Sequence, residues 1–121
     1  MTAVLLVALG AAVGALLRHL TEAAFGPDRW TTFPWPTFIV NVVGSFILGI
    51  VAGGAANGTV SADVVLLIGA GGCGALTTYS GFAYRVVEES VAGRRTLAAT
   101  YVVTSVLVCV GAVAIGYLIG G

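Results

Sequence analysis

Residues 64–82 read VVLLIGAGGCGALTTYSGF and contain no charged side chain. A block of this length approaches the ~20 apolar residues that a membrane-spanning helix needs. Its second half is unusual, because four glycines lie there among threonine and serine residues. These glycines are Gly71, Gly72, Gly74 and Gly81. Glycines and short hydroxyl side chains both lower the cost of leaving helical geometry. The stretch therefore predicts a transmembrane helix that is broken within the membrane.

Charged residues divide the whole chain into four such apolar blocks. Only 8% of the 121 residues are charged, whereas a soluble domain carries about 25%. We expect an all-α membrane protein with one domain over residues 1–121 and spans at about 2–20, 36–56, 63–84 and 97–120. A chain this short cannot enclose a wide pore with its own helices, so we expect an oligomer. The chain has neither a basic run nor an acidic tail, which argues against nucleic-acid binding.

Each of the first two apolar blocks contains a pair of glycines four residues apart, which is about one helical turn. Gly10 and Gly14 form one pair, and Gly49 and Gly53 form the other. Small residues at this spacing let the backbone of another membrane helix approach closely. We expect both pairs to lie at helix contacts.

A nucleotide-binding motif is present by spacing alone. Gly69, Gly71 and Gly74 fit the pattern G-x-G-x-x-G, and Glu89 stands where a ribose-binding carboxylate would be expected. A dinucleotide fold needs parallel strands with amphipathic crossover helices, whereas the other blocks are apolar all round at spanning length. We therefore set this motif aside, and we do not expect an enzyme.

The second block carries a polar stripe. Thr37, Asn41 and Ser45 recur every four residues and so share one helix face. A buried amide in lipid must find partners, so Asn41 predicts either a hydrogen bond to another helix or a polar residue lining a narrow pathway.

The break in the third block and the basic end of the first block each allow two interpretations. The break is either a kink at a tight glycine crossing or a site where freed carbonyl oxygens line a cavity or bind a hard cation. Arg18 either extends to the membrane interface or draws anions toward a vestibule. His19 has no neighbouring metal ligands in the sequence, and we assign it no role.

Three stretches together resemble the Fluc family of bacterial fluoride channels, also called the CrcB family. They are GAAVGALLRHL at 10–20, PTFIVNVVGSFILG at 36–49 and GCGALTTYSGF at 72–82, and the spacing from Tyr101 to Ser105 also matches. The resemblance implies an antiparallel, dual-topology dimer of four-helix subunits with two narrow fluoride pathways. It also implies a structural sodium ion at the centre that is not transported. The implied function is passive fluoride efflux across the bacterial cell membrane, which lowers cytoplasmic fluoride and its toxicity.

The resemblance also implies roles for individual residues. The backbone carbonyls of Gly74 and Thr77 would bind the sodium ion, two from each subunit. The residues implied along the fluoride pathway are Asn41, Phe82, Tyr79, Ser80, Thr37, Tyr101 and Ser105. Such residues suit the ion, because fluoride is strongly hydrated and needs amide, hydroxyl or ring-edge donors in place of water.

Three positions depart from the family pattern. Tyr79 replaces one member of a phenylalanine pair, Gly81 stands where threonine is common, and Arg85 stands where glutamate is common. The tyrosine ring keeps its partly positive edge but adds a hydroxyl. These departures leave the expected fold intact and bear on the details of the pathway.

Basic residues are distributed unevenly about the four spans. The connections after the first and third spans hold Arg18, Arg29, Arg85, Arg94 and Arg95, and the opposite side holds none. By the positive-inside rule, these connections are cytoplasmic and both termini lie outside. An antiparallel homodimer needs a sequence that inserts both ways, so we expect an oppositely oriented paralogue as the partner, with a second copy of the chain as the alternative.

Two other classes of membrane protein fit four spans. A small multidrug antiporter exchanges its substrate for protons through a carboxylate inside the membrane, and the first span contains none before Glu22. A purely structural subunit would explain the glycines but not the stripe at Asn41 together with the glycine and threonine break.

Overall fold

The structure, a computed structural model, describes residues 1–26 and 33–121. Its helices are α1 (Thr2–Phe25), α2 (Trp35–Ala56), α3 (Ala62–Val64), a π-helix (Val65–Cys73), α4 (Gly74–Leu76), α5 (Tyr79–Val91) and α6 (Arg95–Gly120). We call the run from Ala62 to Val91 the third span. The described residues contain no β-strand. The predicted cytoplasmic placement of Arg29 lies outside the described residues.

Four helical segments within residues 1–26 and 33–121 are long and apolar enough to cross a membrane. They are α1, α2, the third span and α6, in the order predicted from the apolar blocks. For the described residues, the expectation of an all-helical fold with four segments able to span a membrane is confirmed.

The helices continue past the ends of the apolar blocks. The expected ends of the first and third spans were residues 20 and 84, but α1 runs to Phe25 and α5 runs to Val91. An ion pair between Arg85 and Glu88, one turn apart, favours helix in the charged part of α5. Charged residues in the sequence mark where a helix can leave the hydrocarbon core of the membrane. The helix itself continues until a turn interrupts its backbone hydrogen bonds.

Helices α2 and α6 meet through glycines on both sides. A methyl group added at Gly49 or Gly53 would overlap backbone atoms of α6. A methyl group added at Gly116 or Gly120 would likewise overlap backbone atoms of α2. The two backbones are therefore in direct contact, which confirms the packing role predicted for Gly49 and Gly53.

Helix α1 packs on the third span in the same way. Added methyl groups at Gly10 and Gly14 would overlap the carbonyl oxygens of Leu67 and Gly72, and one at Gly71 would overlap a carbonyl of α1. The predicted packing role of Gly10 and Gly14 is confirmed. This contact brings the basic end of α1 to Thr77 of the third span.

The turn between α5 and α6 is closed by a buried carboxylate. Gly93 adopts a φ of 85°, and the Arg94 amide donates to the Glu89 carbonyl at 2.9 Å, an arrangement typical of helix ends. The Glu89 side chain is 1% exposed and pairs with the Arg94 guanidinium. The hydrogen bond that Glu89 accepts raises the pKa of Arg94 above its usual value. Backbone and side chains together hold α5 against α6.

The contact between α2 and α6 predicts that Gly49→Ala destabilises the protein. The new methyl group has to push α6 away, and overpacking of this kind costs about 1–3 kcal/mol. Thermal unfolding in detergent micelles measures the effect.

Gly111→Ala on α6 is the matched control, since no atom lies within 4 Å of the added methyl group. It should be neutral or stabilising, because alanine favours helix over glycine by about 1 kcal/mol. Equal unfolding temperatures for the two variants would contradict direct backbone contact at Gly49.

Candidate functional site

Helical structure stops after Leu76 and resumes at Tyr79. Thr77 and Thr78 between them are extended, with ψ values of 158° and 124°. The Thr78 amide does not donate to the Gly74 carbonyl four residues earlier, as it would in a continuous α-helix, but to a side chain of α2. The interruption therefore releases the Gly74 carbonyl from the helical pattern.

Asn41 of α2 binds both backbone groups of Thr78. Its Oδ1 accepts a hydrogen bond from the Thr78 amide at 2.8 Å, and its Nδ2 donates to the Thr78 carbonyl at 3.1 Å. The pairing resembles that of two extended strands, with an amide side chain in place of one backbone. The predicted hydrogen bond from Asn41 to another helix is present.

Arg18 and Thr77 complete the contacts around the break. One guanidinium nitrogen of Arg18, from α1, donates to the Thr77 carbonyl at 3.3 Å. The Thr77 hydroxyl donates to the Cys73 carbonyl at 2.9 Å. An added methyl group at Gly44 would overlap the Thr77 methyl, so the absence of a side chain there admits Thr77 against α2. Arg18 thus reaches inward to the break.

The Thr78 hydroxyl caps α5. It accepts a hydrogen bond from the Gly81 amide at 3.0 Å and lies 3.2 Å from the Ser80 hydroxyl. A threonine at the N-cap satisfies an amide that the first helical turn leaves free. Ser80 is exposed and belongs to this cap in the described subunit.

A row of buried hydroxyl groups runs from α2 to α6. Thr37, Tyr101 and Ser105 are 5%, 0% and 5% exposed. Among the described residues, the Ser105 hydroxyl has no hydrogen-bond partner, and the Tyr101 hydroxyl lies near Thr37 without meeting normal hydrogen-bond geometry. Tyr101 and Ser105 lie one turn apart on α6, so their hydroxyls share one face of that helix and both can donate hydrogen bonds.

Phe82 of α5 lies against this row. Its ring centroid is 5.1 Å from that of Tyr101 and 6.1 Å from that of Tyr79. Tyr79 is 81% exposed, so its ring extends away from the subunit surface. The ring of Phe82 thus stands between the exposed tyrosine and the buried hydroxyls.

An open cleft of about 630 Å³ connects the break to this row. It brings together Asn41, Ser45, Gly74, Thr77, Tyr79, Phe82 and Ser105. Thr37, Ser80, Tyr101 and Arg18 do not line the cleft. Tyr101 reaches this group through its ring contact with Phe82, and Arg18 reaches it through the Thr77 carbonyl.

The family profile described as CrcB-like protein, Camphor Resistance (CrcB), matches residues 5–117. The chain belongs to this family. A protein of Frankia casuarinae named fluoride-specific ion channel FluC 1 is 50% identical over 117 residues, which cover 93% of this chain and 91% of that protein. One of Streptomyces avermitilis with the same name is 43% identical over 108 residues, covering 89% and 87%. The resemblance expected from the sequence is confirmed.

The departures from the CrcB pattern have distinct surroundings. A methyl group added at Gly81 would lie 2.9 Å from the Thr78 methyl, so glycine lets the Thr78 cap close tightly. The Arg85 side chain is 14% exposed and pairs with Glu88. The Tyr79 side chain is 81% exposed and lines the cleft.

Sequence reasoning did not single out Thr78 or Gly44. Thr78 has a sequence signal, since a threonine at the start of a helical segment is a common N-cap. Gly44 lies between Asn41 and Ser45 on α2, where a small residue faces whatever packs on the polar stripe. In this CrcB protein, that neighbour is the Thr77 methyl group.

The unpaired hydroxyl predicts that Ser105→Ala does not destabilise the protein. Its removal breaks no hydrogen bond, and removing a buried unpaired group is neutral or stabilising by about 1 kcal/mol. Thermal unfolding in detergent measures this.

Ser90→Ala is the comparison, because the Ser90 hydroxyl donates to the Val86 carbonyl at 2.7 Å. A Ser105→Ala loss larger than that of Ser90→Ala would mean that the Ser105 hydroxyl is paired in the folded protein.

Proposed function

We propose that the chain is a subunit of a fluoride-specific channel that gives passive fluoride efflux and lowers cytoplasmic fluoride. The observation that carries the proposal is the pair of buried hydroxyls at Tyr101 and Ser105, one turn apart on α6, with the ring of Phe82 against Tyr101. The names of the relatives from Frankia casuarinae and Streptomyces avermitilis support the same ion.

The donors suit a small anion. Fluoride loses strong hydration on leaving water, so its path must offer hydrogen-bond donors in close succession. The two hydroxyls, the partly positive edge of Phe82 and the remaining N–H of Asn41 are such donors. Thr37 and Ser45 extend the polar surface, while Tyr79 and Ser80 stand at its exposed end.

Efflux requires no energy source beyond the membrane potential. Fluoride enters cells as neutral hydrogen fluoride and dissociates in the more alkaline interior. A potential that is negative inside then favours exit of the anion by about 2.3 kcal/mol per 100 mV. The bacterial cell membrane is the proposed location.

A structural sodium ion fits the helix break. The carbonyl of Gly74 is released from the helical pattern, and the carbonyl of Thr77 lies at the start of the extended pair. Carbonyl oxygens are suitable ligands for a hard cation. Arg18 already donates to the Thr77 carbonyl, and the two lone pairs of that oxygen allow a second partner. Sodium would hold the breaks of two subunits together and would not be transported.

An antiparallel dimer follows from this ligand set. Two carbonyls are too few to enclose a cation, and two subunits would supply four. Gly74 is exposed, with no atom within 4 Å of the place where a side chain would begin. A second subunit therefore has room to approach. In this arrangement the break of the third span lies at the middle of the membrane.

The partner is proposed to be an oppositely oriented paralogue. The arginines favour one orientation, with both termini outside, so two copies of this chain would not readily insert in opposite directions. A homodimer is the alternative. A proton-coupled antiporter is less well supported, because Glu89, the buried carboxylate of the described residues, is paired with Arg94 at a helix end.

Fluoride efflux from liposomes tests the pathway. The chain, reconstituted alone or with its paralogue, should release fluoride to an external electrode when sodium is present. Phe82→Ile and Asn41→Asp should each slow release by about tenfold or more, equivalent to about 1.4 kcal/mol in the barrier.

Phe46→Ile is the matched control for the ring, because Phe46 does not line the cleft. It should conduct normally. Normal efflux in both Phe82→Ile and Asn41→Asp would show that the fluoride pathway does not run through this site.

Expression of the chain alone tests the partner. If a paralogue is required, the purified chain should give no sodium-dependent fluoride flux, and co-expression should restore it. Flux from the chain alone would refute the obligate partner while leaving the channel function intact.

A further inference from the structure

We infer that Asn41 is a positioning residue that aims the Thr77 carbonyl toward the proposed sodium ion. Its role would then extend beyond lining the pathway, and the stability of the ion site would depend on a side chain of α2. The sodium part of this inference rests on the proposed function. The positioning part rests on the hydrogen bonds alone.

The geometry of one peptide unit carries the argument. The Thr77 carbonyl and the Thr78 amide belong to the same planar trans peptide, so they point in opposite directions and turn together. Asn41 Oδ1 holds the Thr78 amide at 2.8 Å. By holding the amide on the α2 side, Asn41 turns the Thr77 oxygen away from α2.

The second bond of Asn41 fixes the neighbouring peptide unit. Its Nδ2 donates to the Thr78 carbonyl at 3.1 Å. With the peptide units on both sides of Thr78 held, the backbone angles of that residue have little freedom. Asn41, 37 positions earlier in the chain, thus helps to maintain the extended conformation, together with Arg18, which donates to the Thr77 carbonyl from the α1 side.

The amide of Asn41 is only partly used by this clamp. Asparagine offers one oxygen acceptor and two N–H donors. The clamp takes the oxygen and one donor, which leaves a single N–H free to meet an anion in the cleft that Asn41 lines. One side chain would therefore serve both the break and the fluoride path.

Three substitutions distinguish the effects of the two hydrogen bonds that Asn41 makes with Thr78. Asn41→Leu has a similar volume and removes both bonds. Asn41→Asp keeps an acceptor for the Thr78 amide but cannot donate to the Thr78 carbonyl. Ser45→Ala is the matched control, since Ser45 lies one turn further along the same stripe of α2 and lines the same cleft.

Amide hydrogen exchange of the full-length protein in detergent, resolved by residue, tests the clamp. Thr78 should exchange at least about tenfold faster in Asn41→Leu, because its acceptor is lost, while Asn41→Asp and Ser45→Ala leave it protected. Unchanged protection of Thr78 in Asn41→Leu would overturn the inference.

Sodium titration of the dimer, formed with the co-expressed paralogue where the chain alone gives no sodium-dependent flux, tests the aim of the carbonyl. The readout is the sodium concentration that gives half of the maximal rise in unfolding temperature, with potassium replacing sodium at constant ionic strength. Asn41→Leu should raise this midpoint by about tenfold or more, whereas Ser45→Ala should not change it. A structural contribution alone would lower the unfolding temperature equally with and without sodium, and that result would overturn the inference.

Two further outcomes are informative. If Asn41→Leu does not fold, Asn41→Gln is used in its place. Its extra methylene displaces the amide, so it should also raise the sodium midpoint. An unchanged midpoint in Asn41→Gln would contradict the inference. If sodium does not stabilise the unaltered protein, the proposed ion site fails, and hydrogen exchange still decides whether Asn41 positions the break.

Discussion

A backbone amide or carbonyl inside a membrane must find its hydrogen-bond partner within the protein, because hydrocarbon offers none and an unpaired group is costly. In the membrane arrangement proposed above, the third span meets this constraint at Thr77 and Thr78, where helical hydrogen bonding stops. Asn41 pairs both backbone groups of Thr78, and Arg18 pairs the carbonyl of Thr77. The interruption therefore depends on side chains from α1 and α2.

These side chains reach the break because glycines bring the helix backbones together. Gly10 and Gly14 place α1 directly on the third span, at a distance that lets Arg18 contact Thr77. Gly44 admits the Thr77 methyl group against α2, next to Asn41. A side chain at any of these glycines would overlap its neighbour and move a donor away from its acceptor. Close packing is thus a condition for the polar contacts.

The polar stripe on α2 illustrates how far a periodic pattern can be interpreted. Its period correctly placed Thr37, Asn41 and Ser45 on one helix face. It could not show that Thr37 is buried near the hydroxyls of α6 while Asn41 is bound to Thr78. Nor could the aromatic pattern show that Tyr79 is largely exposed while Phe82 contacts Tyr101. Such differences depend on which helix lies opposite each residue.

The sequence by itself determined the four spans, the helix-packing faces at Gly10, Gly14, Gly49 and Gly53, and the family resemblance. These follow from block length, charge placement and local spacing, which are properties of neighbouring residues. Only the tertiary structure decided that Asn41 and Arg18 bind the break and that the Ser105 hydroxyl is buried with no partner among the described residues. Those outcomes join residues far apart in the chain, and they are set by the rotation and offset of packed helices.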